Sequence, residues 1–71
     1  MTKSLNKKKL ITDFQMMLDF EISARDQYLK MAQDPFIQKA GIQDQFNLIA
    51  HEEEKHIKIV GMIIDLIDKK L

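Results

Sequence analysis

The chain has 71 residues, too few for more than one small domain, and 11 basic side chains balance 11 acidic ones. Domains this short bury little surface and usually lean on disulfides, metals or partner subunits. With no cysteine, disulfides, thiolate zinc sites and iron–sulfur clusters are excluded, leaving oxygen and imidazole ligation, oligomerisation, or both.

In chain order, the first feature is a basic cluster, Lys3, Lys7, Lys8 and Lys9, read as a solvated, frayed end. Balanced charge gives no argument for a nucleic-acid partner. No apolar signal-peptide core is visible near the start. Lys58 interrupts the longest apolar run, so no membrane span is expected. A cytoplasmic location is the default expectation.

The first predicted helix covers about residues 5–32. Its seam runs Leu10, Phe14, Met17, Glu21, Ala24, Tyr28, Met31, flanked by Ile11, Leu18, Ile22 and Leu29. Asp34-Pro35 then punctuates the chain. Asp suits a helix N-cap and Pro the first helical position, while the residue before a proline resists the helical region. The second predicted helix covers about residues 35–68. Its seam runs Ile42, Phe46, Ile49, Glu53, His56, Val60, Ile63, Ile67. Gly41 and Gly61 lie within this periodic segment and are expected to weaken the helix without breaking it.

Both apolar stripes are wider than a two-stranded contact needs. The expected fold is therefore all-α: one domain over residues 1–71, an antiparallel two-helix hairpin that dimerises into a four-helix bundle.

Three ionisable residues interrupt these seams: Glu21, Glu53 and His56. A lone carboxylate in an apolar layer is costly unless something compensates it. The chain has only four glutamates, Glu21 and the run Glu52, Glu53, Glu54. Glu21 is alone on the first seam, while Asp13, Asp19 and Asp26 lie off it. The extra methylene of Glu helps a ligand reach from a helix into a bundle core. Glu53-x-x-His56 places a carboxylate and an imidazole one turn apart on one face. Folding the chain about residue 37, beside the Asp34-Pro35 turn, brings Glu21 level with Glu53. Two copies would then supply two seam glutamates and two Glu-x-x-His pairs, the ligand inventory of di-metal carboxylate bundles. Four carboxylates balance two divalent cations. Oxygen and imidazole donors suit iron or manganese, with zinc as a substitute.

The segment Ile49-Ala50-His51-Glu52-Glu53-Glu54-Lys55-His56-Ile57 resembles the second-helix motif of rubrerythrins and other ferritin-like proteins. Asp34-Pro35 and Phe46 look like the loop and helix of that family. Glu21 followed by Tyr28 is similar to the first helix, above all in encapsulated ferritins, whose subunit is one hairpin. The likeness extends over roughly residues 10–65. It implies a ferritin-like bundle with Glu21, Glu53 and His56 as iron ligands, two iron ions per dimer, and Glu53 as bridging carboxylate. It further implies that Tyr28 stands near the site and that Glu52 holds a histidine of the opposite half. For Tyr28 the alternative is a core tyrosine, and for Glu52 a solvated helix face. His51 and Glu54 are read as surface residues.

The chain also departs from the family patterns. No rubredoxin-like cysteines follow, Ala24 stands where an extra carboxylate would serve a rubrerythrin peroxidase, and Phe20 and Ser23 lack the acids that guide metal into encapsulated ferritins. The likeness leaves room for an enclosing protein shell, although no shell-targeting peptide is read after Lys70-Leu71.

The function implied is Fe(II) binding at a dimer interface with oxidation by oxygen or peroxide, that is, a ferroxidase-type oxidoreductase. The competing reading is a helical oligomerisation module, metal-free or metal-stabilised, without catalysis.

Overall fold

Helix formation follows the apolar spacing, and the chain is helical nearly throughout. The computed structural model describes residues 3–71, with side chains from Asn6 onward. Three helices follow one another: α1 (Lys3–Ala32), α2 (Pro35–Ala40) and α3 (Gln43–Lys70). Among the described residues there is no strand, as an all-α chain requires.

The turn between α1 and α2 is built locally. The Asp34 carboxylate accepts a hydrogen bond from the Phe36 backbone N–H at 2.8 Å, capping a helix that begins at Pro35. This satisfies one of the donors left free at a helix start.

The expected single helix over residues 35–68 is instead two helices, and the break falls at Gly41. Gly41 adopts a left-handed φ of 76°, a conformation open to glycine at little cost. Its N–H donates to the Gln38 carbonyl at 3.1 Å, and the Ile42 N–H donates back to the Ile37 carbonyl at 3.4 Å. This paired closure is a Schellman motif. It satisfies the end of α2 and lets the chain change direction before α3 starts. Gly41 therefore breaks the helix, against expectation. Gly61 sits inside α3 without interrupting it.

Helices α1 and α3 lie side by side and run in opposite directions. Lys7, near the start of α1, donates to the Asp68 carbonyl of α3 at 2.9 Å. Arg25 meets Glu54 at 3.4 Å. Tyr28 packs against Phe46 with ring centroids 6.3 Å apart. The basic end is thus less frayed than expected: α1 is helical from Lys3, and Lys7 is tied to α3. The side chain of Lys3 lies outside the described residues.

The pair of helices has almost no private interior. Among the described residues only Ala32, Ala50 and Val60 are buried. The radius of gyration is 16.4 Å, against about 11 Å for a compact domain of this length. The molecule measures 55 × 15 × 11 Å, which is a single layer of helices.

Half of the 14 exposed large apolar residues among the described residues gather on one face. Each residue advances about 100° around a helix. By that spacing Leu10, Met17, Phe20 and Met31 of α1 lie roughly a quarter turn from the line joining the two axes. So do Ile49, Ile59 and Leu66 of α3. Because both helices are right-handed and antiparallel, the two sets emerge on the same face. All seven are exposed, from 38% at Leu10 to 75% at Phe20. The opposite face carries the Arg25–Glu54 pair. Among the described residues no helix is long and apolar enough to cross a membrane.

Candidate metal centre

On the open apolar face, three polar residues stand together. Glu21 comes from the middle of α1, and Glu53 and His56 come from adjacent turns of α3. One ligand atom from each lies within 4.8 Å of the others. The antiparallel register does this: it sets the middle of α1 against the stretch of α3 that carries Glu-x-x-His. The structure therefore brings together all three residues singled out in the seams. No fourth His, Asp or Glu joins them among the described residues.

Burial across the group is graded. The Glu21 side chain is 27% exposed and that of His56 is 56% exposed, while Glu53 is half-buried. Glu21 Oε2 is itself buried and has no hydrogen-bond partner. His56 Nδ1 is 3.7 Å away, close enough for attraction and too long for a hydrogen bond. A buried acceptor without a partner costs stability unless another group arrives to satisfy it. The donor set, two carboxylates and one imidazole, fits a divalent cation of the iron, manganese or zinc type.

The acids on either side of Glu53 behave differently from it. Glu52 is exposed and accepts from Lys55 Nζ at 3.3 Å, so within one chain it holds no histidine. Glu54 is exposed and pairs with Arg25, which also binds Asp26 at 3.0 Å. His51 is exposed. Tyr28 lies two helical turns beyond Glu21, about 10 Å along the axis. It is half-buried against Phe46, so within one chain it sits in the apolar packing and not beside the ligands.

The orphaned oxygen of Glu21 is the feature that seam reasoning did not reach. Heptad position places a side chain on a face but does not say which of its oxygens finds a donor.

No family model, curated protein or solved structure matches the chain.

Proposed function

We propose that two copies of this chain close over their open faces into a ferritin-like four-helix bundle. Glu21, Glu53 and His56 of each copy would hold two iron ions between them. The observation that carries the reading is the convergence of those three side chains, with one Glu21 oxygen buried and unsatisfied, at the centre of an uncovered apolar face.

Several features support it. In a square bundle each helix packs on two neighbours about 90° apart around its axis. Here one direction is filled by the partner helix of the same chain, and the exposed apolar residues cluster in the other. The polar triad lies between the two directions, where a bundle interior would be. Two copies would supply four carboxylates and two imidazoles, enough to neutralise two divalent cations and hold them in fixed positions.

Iron bound there would supply one-electron chemistry toward oxygen or peroxide, with Fe(II) as the reductant. The chain's own contribution is binding and exclusion. Glu21 and Glu53 provide the anionic oxygens. His56 offers an imidazole nitrogen and keeps its position through the α3 backbone. Met17, Phe20, Ile49 and Ile59 would surround the ligands with apolar surface and limit water. Ala24, one turn beyond Glu21, adds no further donor and leaves space beside the site for a small oxidant.

Anaerobic titration with Fe(II), followed by admission of oxygen, tests the reading. It expects one iron per chain and an absorbance rise from Fe(III) that saturates at that ratio. Absence of stoichiometric binding overturns it. The competing reading, an oligomerisation module without catalysis, draws on the same exposed face. It expects assembly without oxidation, whether or not a metal is bound.

A further inference from the structure

The methionines can be ranked by exposure or by nearness to the triad, and the two rankings disagree. Met62 is 64% exposed, Met16 58%, Met17 49% and Met31 41%, while Met1 lies outside the described residues. An oxidant arriving from solvent meets the most exposed sulfur first. By exposure alone, Met62 and Met16 react ahead of Met17.

Nearness reverses that order. Met17 stands one turn before Glu21 on α1, about 40° from it around the helix. Side chains so spaced are neighbours, with Cβ atoms about 5–6 Å apart. Helical side chains lean toward the N-terminus, which brings Glu21 over Met17. Met16 is turned about 140° away from Glu21, and Met31 lies about 15 Å further along α1. Met62 is about 9 Å beyond His56 on α3 and about 120° away around the axis. Among the described residues, Met17 is the thioether that shares both level and face with the triad.

Hydrogen peroxide takes up two electrons when its O–O bond breaks. Two Fe(II) ions supply one electron each. Once those are spent, the side chains around the triad are carboxylates, an imidazole, the hydrocarbon of Phe20, Ile49 and Ile59, and the polarizable sulfur of Met17. The thioether is the member of that set that peroxide converts directly, to methionine sulfoxide. A sulfur lone pair attacks one peroxide oxygen, the S–O bond forms and the O–O bond breaks. The other oxygen leaves as water with both peroxide protons. Sulfur is oxidised by two electrons and peroxide is reduced by two.

We propose that Met17 is a sacrificial reductant for the site: peroxide in excess of what the bound Fe(II) can reduce is consumed by the Met17 thioether. The proposal rests on the metal reading above, because bound iron is what draws peroxide to the triad. The product is a polar, chiral side chain that reductases specific for methionine sulfoxide can restore. The modification therefore marks peroxide excess and can be reversed.

The test uses the full chain, loaded anaerobically with Fe(II) and treated with hydrogen peroxide in steps. A metal-free sample receives the same steps. Mass spectrometry of the digested protein measures the gain of one oxygen atom at each methionine. With iron, no methionine is expected to change until peroxide exceeds one for every two Fe(II). Beyond that point Met17 is expected to be oxidised severalfold ahead of Met62 and Met16. Without metal, Met62 and Met16 are expected to lead and Met17 to lag.

An iron-loaded sample in which Met62 and Met16 still lead overturns the proposal, and stoichiometric Fe(II) binding in the same sample leaves the metal reading standing. Met17 leading equally without metal also overturns it, because its reactivity would not come from the site. Oxidation of Met17 from the first addition of peroxide removes the sacrificial role. Absence of stoichiometric iron binding overturns both readings.

Discussion

Glu21 and His56 stand on different helices, yet their side chains meet, with Glu21 Oε2 3.7 Å from His56 Nδ1. They lie 35 positions apart in the chain. Only the antiparallel register of α1 and α3 makes them neighbours, so the pair reports on both the fold and the site.

Removing a ligand should matter far more than removing its neighbour in sequence. Glu53→Ala and His56→Ala are each expected to abolish stoichiometric Fe(II) binding, while Glu54→Ala leaves it intact. The Glu54 carboxylate is directed to Arg25 on the other face. Anaerobic titration of the three variants checks this, and similar binding in all three would remove the ligand assignment.

Metal should also stabilise the protein. An ion that binds the folded assembly and not the unfolded chain adds about 2.7 kcal/mol at one hundred times its dissociation constant. Zn(II) is therefore expected to raise the melting temperature of wild type. Glu21→Ala should weaken that response while leaving the metal-free protein at least as stable, because it deletes a partnerless buried oxygen. A metal-free variant much less stable than wild type, with an undiminished zinc response, would make Glu21 a structural residue.

Two highly exposed residues separate the two sides of the molecule. Phe20 is 75% exposed and Met62 is 64% exposed, so neither contributes much to packing within the chain. Phe20 lies on the face of the triad, whereas helical spacing turns Met62 outward from it. With zinc bound, Phe20→Lys is expected to prevent dimer formation and Met62→Lys to permit it, both remaining helical by circular dichroism. Equal behaviour in sedimentation would refute the assigned face.

The two glycines should respond in opposite directions. Gly41→Ala forces a side chain into the left-handed region and should cost about 1–2 kcal/mol. At Gly61 an added Cβ meets nothing within 4 Å, so Gly61→Ala should stabilise α3 by about 0.5–1 kcal/mol. Urea denaturation of the zinc-loaded protein at fixed concentration measures both.

What could be read from the residues beforehand divides along physical lines. The helix start at Asp34-Pro35 is local chemistry, and the cap is where those two residues place it. The convergence of Glu21, Glu53 and His56 followed from periodicity and one turn position, because both helices are regular through that region. The break at Gly41 did not follow. A glycine within a periodic apolar segment fits a helix at modest cost, and the deciding factor is the pair of hydrogen bonds to Ile37 and Gln38 that closes α2. The contact of Lys7 with Asp68 depends on register accumulated over the full length of two helices. The position of Tyr28 depends on Phe46 offering it an aromatic neighbour, which a single-helix seam does not reveal.

A molecule one helix layer thick has no inside of its own. In such a chain nearly every amide lies close to solvent, and the strongest protection from hydrogen exchange is expected where a second copy would lie on top. Protection would therefore be a function of concentration: dilution would erase it along α1 and α3 without any change in the residues or their helical form. For this protein, protection from exchange and the company of a second copy would rise and fall together.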